Sequence, residues 1–197
     1  MTQDEYKTIT EKVGEGFYSE KRSKFLAFAH HVNTVEEVKG IIAHYREKYY
    51  DARHCCYAYM LGPERQEFRA NDDGEPSSTA GKPILGQINS NELTDILVCV
   101  IRYYGGVNLG TSRLHLAYKA AAADAIAHSD IVIRLVEKRL TFHFTYPSVN
   151  AVMRVVRDMK ARIIEQNFDM SCDITLSIRE SMVDELQRRM EKAITGI

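Results

Sequence analysis

Six consecutive apolar residues, Ile96 to Ile101, mark the centre of the chain's pattern. With their flanks, residues 95–104, they predict a strand buried on both faces. Alternation gives further strands at residues 24–32, 53–61 and 66–70. Helical spacing appears after Thr34, where Val35, Val38, Ile42, Tyr45 and Tyr49 recur on one face and Glu37 completes a capping-box pattern. A short helix is expected over residues 84–93, entered through Pro83. A longer one over residues 111–128 carries Leu114, Ala117, Tyr118, Ala121 and Ala125 on one side, small enough to pack closely on a sheet.

The pattern restarts after Asp130. Leu140, Phe142, Phe144 and Tyr146 alternate with polar residues, and a helix with Val149, Val152, Met153 and Val156 follows. Strands over residues 162–168 and around Cys172, Ile174, Leu176 and Ile178 come next, then a helix with Val183, Leu186, Met190, Ala193 and Ile194 inward. The order β-α-β-β-α begins a split βαβ, ferredoxin-like unit whose usual last strand is missing or very short. An α+β protein of two domains, 1–130 and 131–197, is therefore expected, packed together because no low-complexity linker separates them.

Composition narrows the classes. The chain has 197 residues, 45% of them hydrophobic, enough for a proper core. Its net charge of −1 excludes a strongly basic nucleic-acid binder but leaves room for a local patch. Apolar stretches are too short to span a bilayer and the N-terminal residues are polar and acidic, so a cytoplasmic location with no membrane contact is expected. Cys55 and Cys56 are adjacent, and Cys99 and Cys172 sit in apolar runs. No redox or zinc spacing results, and buried free thiols are the expectation.

Two glycine-punctuated segments carry the candidate chemistry. Arg102-Tyr103-Tyr104-Gly105-Gly106-Val107-Asn108-Leu109-Gly110-Thr111 joins the central strand to the long helix. Glycines at a strand-to-helix turn shape backbone, and N–H groups backed by the helix dipole offer a seat for phosphate or carboxylate. The spacing is not that of a dinucleotide fingerprint, so no nucleotide cofactor is expected. Arg102 and Arg113 can contact an anion or nucleic acid, and Tyr103 or Tyr104 can stack on bases. The upstream segment runs from Asp72 through Asp73, Gly74, Glu75 and Pro76 to Gly81, Lys82 and Pro83. Its three carboxylates fit either a divalent cation or a solvated turn, and the turn, with no metal, is the expectation adopted. Position 76 is proline where a phosphate loop needs glycine, so Gly81-Lys82 is not a Walker motif. Ser77 and Ser78 lack a nucleophile elbow.

The segment Arg53-His54-Cys55-Cys56-Tyr57-Ala58-Tyr59 and the two glycine segments, in that order, resemble the motifs of the IMPACT family in its bacterial YigZ-type branch. The resemblance covers residues 20 to 130, with weaker similarity beyond. It implies an N-terminal domain like domain IV of elongation factor G, of the ribosomal protein S5 domain 2-like kind, and a ferredoxin-like C-terminal domain. It marks His54, Asp72, Asp73, Gly74, Glu75, Pro76 and Gly81 as a family-motif loop. Eukaryotic relatives regulate translation by competing for a partner of the kinase that phosphorylates an initiation factor, and bacterial members are inferred from fold to bind nucleic acid or the ribosome. This chain departs from many bacterial relatives after Gly110, where Thr111-Ser112-Arg113-Leu114 replaces further glycines.

The leading expectation is a non-enzymatic, translation-associated protein contacting RNA, the ribosome or a translation-associated protein through Lys82, Arg102, Tyr103, Gly105, Gly106, Asn108, Gly110, Thr111 and Arg113. Two alternatives stay open. One is a hydrolase acting on a phosphate-containing substrate with Asp72, Asp73, Glu75 and His54; the other is a protein-interaction regulator without nucleic-acid affinity.

Overall fold

The computed structural model describes residues 4–169 and 171–196. The chain is an α+β protein that divides into two compact units, Tyr6–Arg134 and a smaller one of Leu135–Ile197 with Met1–Glu5.

In the larger unit the elements run β1 (Glu5–Ile9), β2 (Gly14–Glu20), β3 (Ser23–His31), α1 (Val35–Lys48), β4 (His54–Leu61), β5 (Glu67–Asn71), α2 (Gly81–Ser90), β6 (Ile96–Tyr103), α3 (Thr111–Ala127) and β7 (Ile131–Leu135). Five of the strands form an antiparallel sheet in the order β2-β3-β6-β4-β5, and β1 pairs with β7 in a separate two-stranded sheet. Helices cover both faces of the larger sheet. On one side Ile96, Val98 and Val100 of β6 cluster with Ile84 and Ile88 of α2 and Leu114, Ala117, Tyr118 and Ala121 of α3. On the other, Leu97, Cys99 and Ile101 meet Val38, Ile42 and Tyr45 of α1. This double cover explains the uninterrupted apolar run: Ile96 to Ile101 are all 0% exposed, each large side chain contributing about 1.5–3 kcal/mol of burial.

The cap at Thr34 forms with a variation. Its Oγ1 accepts the Glu37 N–H at 3.2 Å, while the Glu37 carboxylate reaches back one residue further than usual, to the Asn33 N–H at 2.7 Å. The short helix begins at Gly81 rather than after Pro83. Proline is tolerated in that first turn because its missing N–H has no intrahelical partner to lose. Strands β1, β2 and β7 are additions to the sequence pattern. β2 crosses the alanines of α3, and a Cβ on its Gly16 would lie 2.3 Å from Ala125 N and 2.7 Å from Ala121 O. Only glycine permits that approach.

The smaller unit contains β8 (Glu137–Phe144), α4 (Val149–Asp158), β9 (Arg162–Phe168), β10 (Cys172–Arg179) and α5 (Val183–Thr195). The sheet order is β8-β10-β9 with both pairs antiparallel, so β10 lies between the two strands that α4 connects. That is a split βαβ followed by a second helix. Its core joins Phe144, Ile174 and Leu176 to Val152 and Val156 of α4 and Leu186 and Met190 of α5. No strand follows α5 among the described residues.

Candidate functional site

The two glycine segments meet at one end of the larger sheet. A cleft of about 600 Å³ lies between them, lined by Arg53 and His54 at the start of β4, Gly74, Glu75 and Pro76 of the acidic loop, and Arg102, Tyr104, Asn108, Leu109, Gly110, Thr111 and Leu114 around the β6–α3 turn.

Its floor is a buried ion pair. Arg102 shares the α3 face of β6 with Val98 and Val100, and its Nη1 donates to Glu75 Oε1 at 2.6 Å. The two side chains are only 6% and 3% exposed. Tyr118 of α3 donates its hydroxyl to the same carboxylate oxygen at 2.7 Å. Burial pushes the Tyr118 pKa far above the ordinary phenol value, with nearby Cys56 and Glu75 adding to the effect, so the hydroxyl stays a donor. The other Glu75 oxygen faces His54 Nε2 at 3.7 Å. His54 Nδ1 lies 2.7 Å from the Asp73 carbonyl oxygen, which only accepts, so this nitrogen carries the proton. The Arg102 Nε is buried without a hydrogen-bond partner.

The acidic loop is folded on itself. Asp72 accepts from Ser78 N at 2.8 Å, Ala80 N at 3.1 Å and Gly81 N at 2.8 Å, placing its charge at the N-terminus of α2. Asp73 accepts from Cys55 N at 2.7 Å and Arg46 Nη2 at 2.6 Å. Both carboxylates therefore hold backbone rather than present themselves to a ligand. Among the described residues no three His, Cys, Asp or Glu side chains converge as a metal-ligand set.

The N-terminus of α3 is arranged differently. Gly110 is its N-cap at φ +77°, a conformation suited to glycine, and no side chain caps the helix. The first intrahelical bond runs from Leu114 N to Gly110 O, so the N–H groups of Thr111, Ser112 and Arg113 precede it and have no hydrogen-bond partner among the described residues. Neither hydroxyl of Thr111 or Ser112 occupies them.

Of the other residues named from the sequence, Tyr103 and Lys82 lie apart from the cleft. Tyr103 lies on the opposite face of β6, packs against the α1 cluster and donates to Asp51 Oδ1 at 2.8 Å. Tyr104 takes the place at the cleft, 42% exposed, with the Arg53 and Arg102 guanidinium carbons 5.5 Å and 5.7 Å from its ring centre. Lys82 is exposed on α2 and does not line the cleft. Arg113 is exposed in the first turn of α3. Arg102 differs most from a solvated phosphate contact, because Glu75 already holds it. Arg53 and Tyr118 carry no site role in the sequence reading, and Tyr104 enters it only beside Tyr103 as a stacking residue. The alternation along β6 does carry the signal for Arg102, since residues 98, 100 and 102 share one buried face and a buried arginine there requires an acid.

All four cysteines are free and buried. Burial pushes the Cys55 thiol up to about 11 and raises Cys56 and Cys99 above the ordinary thiol value. None of the four is expected to react with Ellman's reagent in the folded protein at about pH 8, where free thiols react readily. All four should react in denaturant, and a rapid native-state phase would show that a thiol is accessible.

Comparison with known proteins identifies the family. The Impact N-terminal domain model matches residues 21–126, a span that includes the cleft and its three motifs. A Thermus thermophilus protein described as an IMPACT family member is 37% identical over 137 residues, covering 70% of this chain and 73% of its own. The IMPACT family member YigZ of Escherichia coli is 28% identical over 172 residues, covering 86% of this chain and 84% of its own. A solved structure described only as a hypothetical protein matches with a TM-score of 0.74 at 26% identity, over 95% of this chain and 92% of that one. No helix among the described residues is long and apolar enough to cross a membrane. With its motifs gathered around one cleft inside the matched span, the chain belongs to the IMPACT family.

Proposed function

We propose that this chain is a non-enzymatic, translation-associated protein of the cytoplasm that binds single-stranded RNA at the cleft end of the larger sheet. The observation carrying this reading is the local gathering of cations around an exposed aromatic ring. Gly105 N donates to Ser23 Oγ at 3.1 Å, which brings the exposed Lys21 and Arg22 of the β2–β3 turn and Lys24 at the start of β3 beside the glycine segment. Arg53 is exposed just before β4 and Arg113 in the first turn of α3, and Tyr104 offers a stacking face already flanked by guanidinium groups. A phosphate backbone tracked by cations, with bases stacked on aromatic rings, is how single strands are held without sequence readout. A net charge of −1 for the whole chain makes this a patch rather than a bulk property. The inward engagement of Asp72 and Asp73 favours binding over the hydrolase alternative.

The test is the salt dependence of RNA binding. Arg53→Ala with Arg113→Ala should flatten log K against log salt by about 0.7 for each lost contact to a single strand. The loss should be the same for different base sequences. An unchanged slope in a folded double variant would remove both residues from the interface, and binding that depends on a co-purified protein after nuclease treatment would support the protein-interaction alternative.

A further inference from the structure

We propose that the cleft contains a discrete phosphate site, formed by the open N–H groups of Thr111, Ser112 and Arg113 and by the Arg102 guanidinium, and that its occupant is the terminal phosphate of a nucleic-acid strand. This deepens the RNA reading and rests on it.

Two independent features meet at the same place. The first is the 17-residue helix α3, whose N-terminus is left without a side-chain cap. Its exposed N–H groups and positive dipole end favour an anion. The contrast with α2 is informative because there the protein supplies its own anion, the Asp72 carboxylate on Ala80 N and Gly81 N. The second is Arg102, a cation 94% buried by its side-chain exposure of 6%, lining the cleft with its Nε unpartnered. Its Nη1 donates to Glu75, while its Nε has no partner among the described residues. Buried donors without partners are uncommon in folded proteins, and because Nε is also closed to solvent, a phosphate oxygen supplies the missing acceptor only with a shift of the Arg102 side chain on binding.

Glu75 opposes an anion, but its charge is compensated. One oxygen receives Arg102 and Tyr118, so the pair contributes little net charge to the cleft. Arg53, exposed at the rim, adds a further positive group. A strand end fits this arrangement better than a continuous backbone. A terminal monoester carries two negative charges near neutral pH and three unesterified oxygens, enough to meet the helix terminus and the guanidinium together. A diester has one charge and two free oxygens. The cleft volume of about 600 Å³ also lies within the range of sites that enclose a small molecule.

The experiment follows backbone amide and arginine Nε–H resonances of the full chain at constant ionic strength. The probes are inorganic phosphate and one short RNA prepared with either a 5′-phosphate or a 5′-hydroxyl. Saturable shifts at Thr111, Ser112, Arg113 and the Arg102 Nε–H, with at least severalfold tighter binding of the 5′-phosphorylated strand, are expected. Thr111→Asp puts a carboxylate at the helix N-terminus, where it is compatible with the dipole, and should weaken phosphate binding about tenfold or more. Resonances of Gly110 to Arg113 unmoved by phosphate up to tens of millimolar would overturn the site. So would RNA binding with a normal salt slope but no preference between the two ends, a result that leaves the RNA reading standing. Phosphate shifts at these residues without RNA binding would instead retain the anion site and overturn its assignment to a strand end.

Discussion

Arg102→Ala is expected to destabilise the Tyr6–Arg134 unit by about 3–5 kcal/mol, the usual cost of removing one partner of a buried ion pair. The Glu75 side chain is 3% exposed and takes Arg102 and Tyr118 on a single oxygen. Without Arg102 its charge would keep one hydrogen bond and lose its counter-ion. His54 does not replace it, because its Nε2 is 3.7 Å from the other oxygen, beyond hydrogen-bond distance, and its Nδ1 is engaged with the Asp73 carbonyl. With Arg102 gone, Tyr118 is the one remaining hydrogen-bond donor at hydrogen-bond distance from the Glu75 side chain among the described residues. Urea unfolding measures the effect as a lower midpoint at unchanged slope. Adding Glu75→Gln should recover part of the loss by removing the charge while keeping an acceptor for Tyr118, giving a coupling energy of about 0.5–3 kcal/mol in the double-mutant cycle. A cost below about 1 kcal/mol for Arg102→Ala would place the pair in the class of solvated surface bridges. The expected size of this effect makes Arg102 unsuitable as a simple probe of RNA contact and directs that test to Arg53 and Arg113.

The legible parts of the fold are those where one periodicity persists over a whole element. Strands β3, β6 and β10 and helices α1, α3, α4 and α5 each bury a regular face, so pattern and structure coincide within a residue or two, whereas β8 starts three residues before Leu140 and Tyr146 lies beyond it in an exposed 3-10 turn. β2 escaped because its sequence, Gly14-Glu15-Gly16-Phe17-Tyr18-Ser19-Glu20, has glycine where an inward side chain is expected. The apolar surface at that contact comes from the alanines of α3, and a strand lined by glycine resembles a loop to any hydrophobicity pattern. β1 and β7 escaped for another reason. They are five residues each; in β7 Ile131 and Ile133 are 47% and 59% exposed, and β1 buries only the adjacent Thr8 and Ile9 at its end, so neither encodes an alternating buried face.

The site divides in the same way. Glycine spacing at a strand-to-helix turn announced that Gly110 shapes backbone, and the proximity of the two loops followed from their shared place in a single unit. Residue roles did not follow. Tyr103 and Tyr104 are adjacent in sequence, yet strand geometry sends the first to the α1 face and leaves the second at the end of β6 beside the cleft. The three carboxylates of the acidic loop look equivalent in sequence. Turn geometry gives Asp72 to the α2 N-terminus, Asp73 to the β4 backbone and Arg46, and Glu75 to the buried Arg102. Such assignments depend on which backbone donors a loop leaves open, and that is decided by tertiary contact.

Gly16→Ala and Gly86→Ala are expected to change stability in opposite directions. At Gly16 the nearest neighbours of a new Cβ are Ala125 N at 2.3 Å, Ala121 O at 2.7 Å and Ala125 Cα at 2.9 Å, all backbone of α3. Rotamer changes cannot relieve that overlap, so β2 and α3 must separate, at a cost of about 1–3 kcal/mol or more for overpacking. At Gly86, within α2, a Cβ meets nothing within 4 Å, and alanine should add about 0.5–1 kcal/mol through the lower backbone entropy of the unfolded chain. Equilibrium denaturation of the two single variants reads the difference directly. The amide spectrum reads its consequence, because α3 spans Thr111 to Ala127 as one helix: a displacement forced at Ala121 and Ala125 should carry to the open N–H groups at the cleft. Gly16→Ala should therefore shift the resonances of Thr111 to Arg113 while Gly86→Ala leaves them in place. Equal stability for the two variants would mean that β2 rides clear of α3 in solution, and the close strand-to-helix contact would no longer account for the glycine.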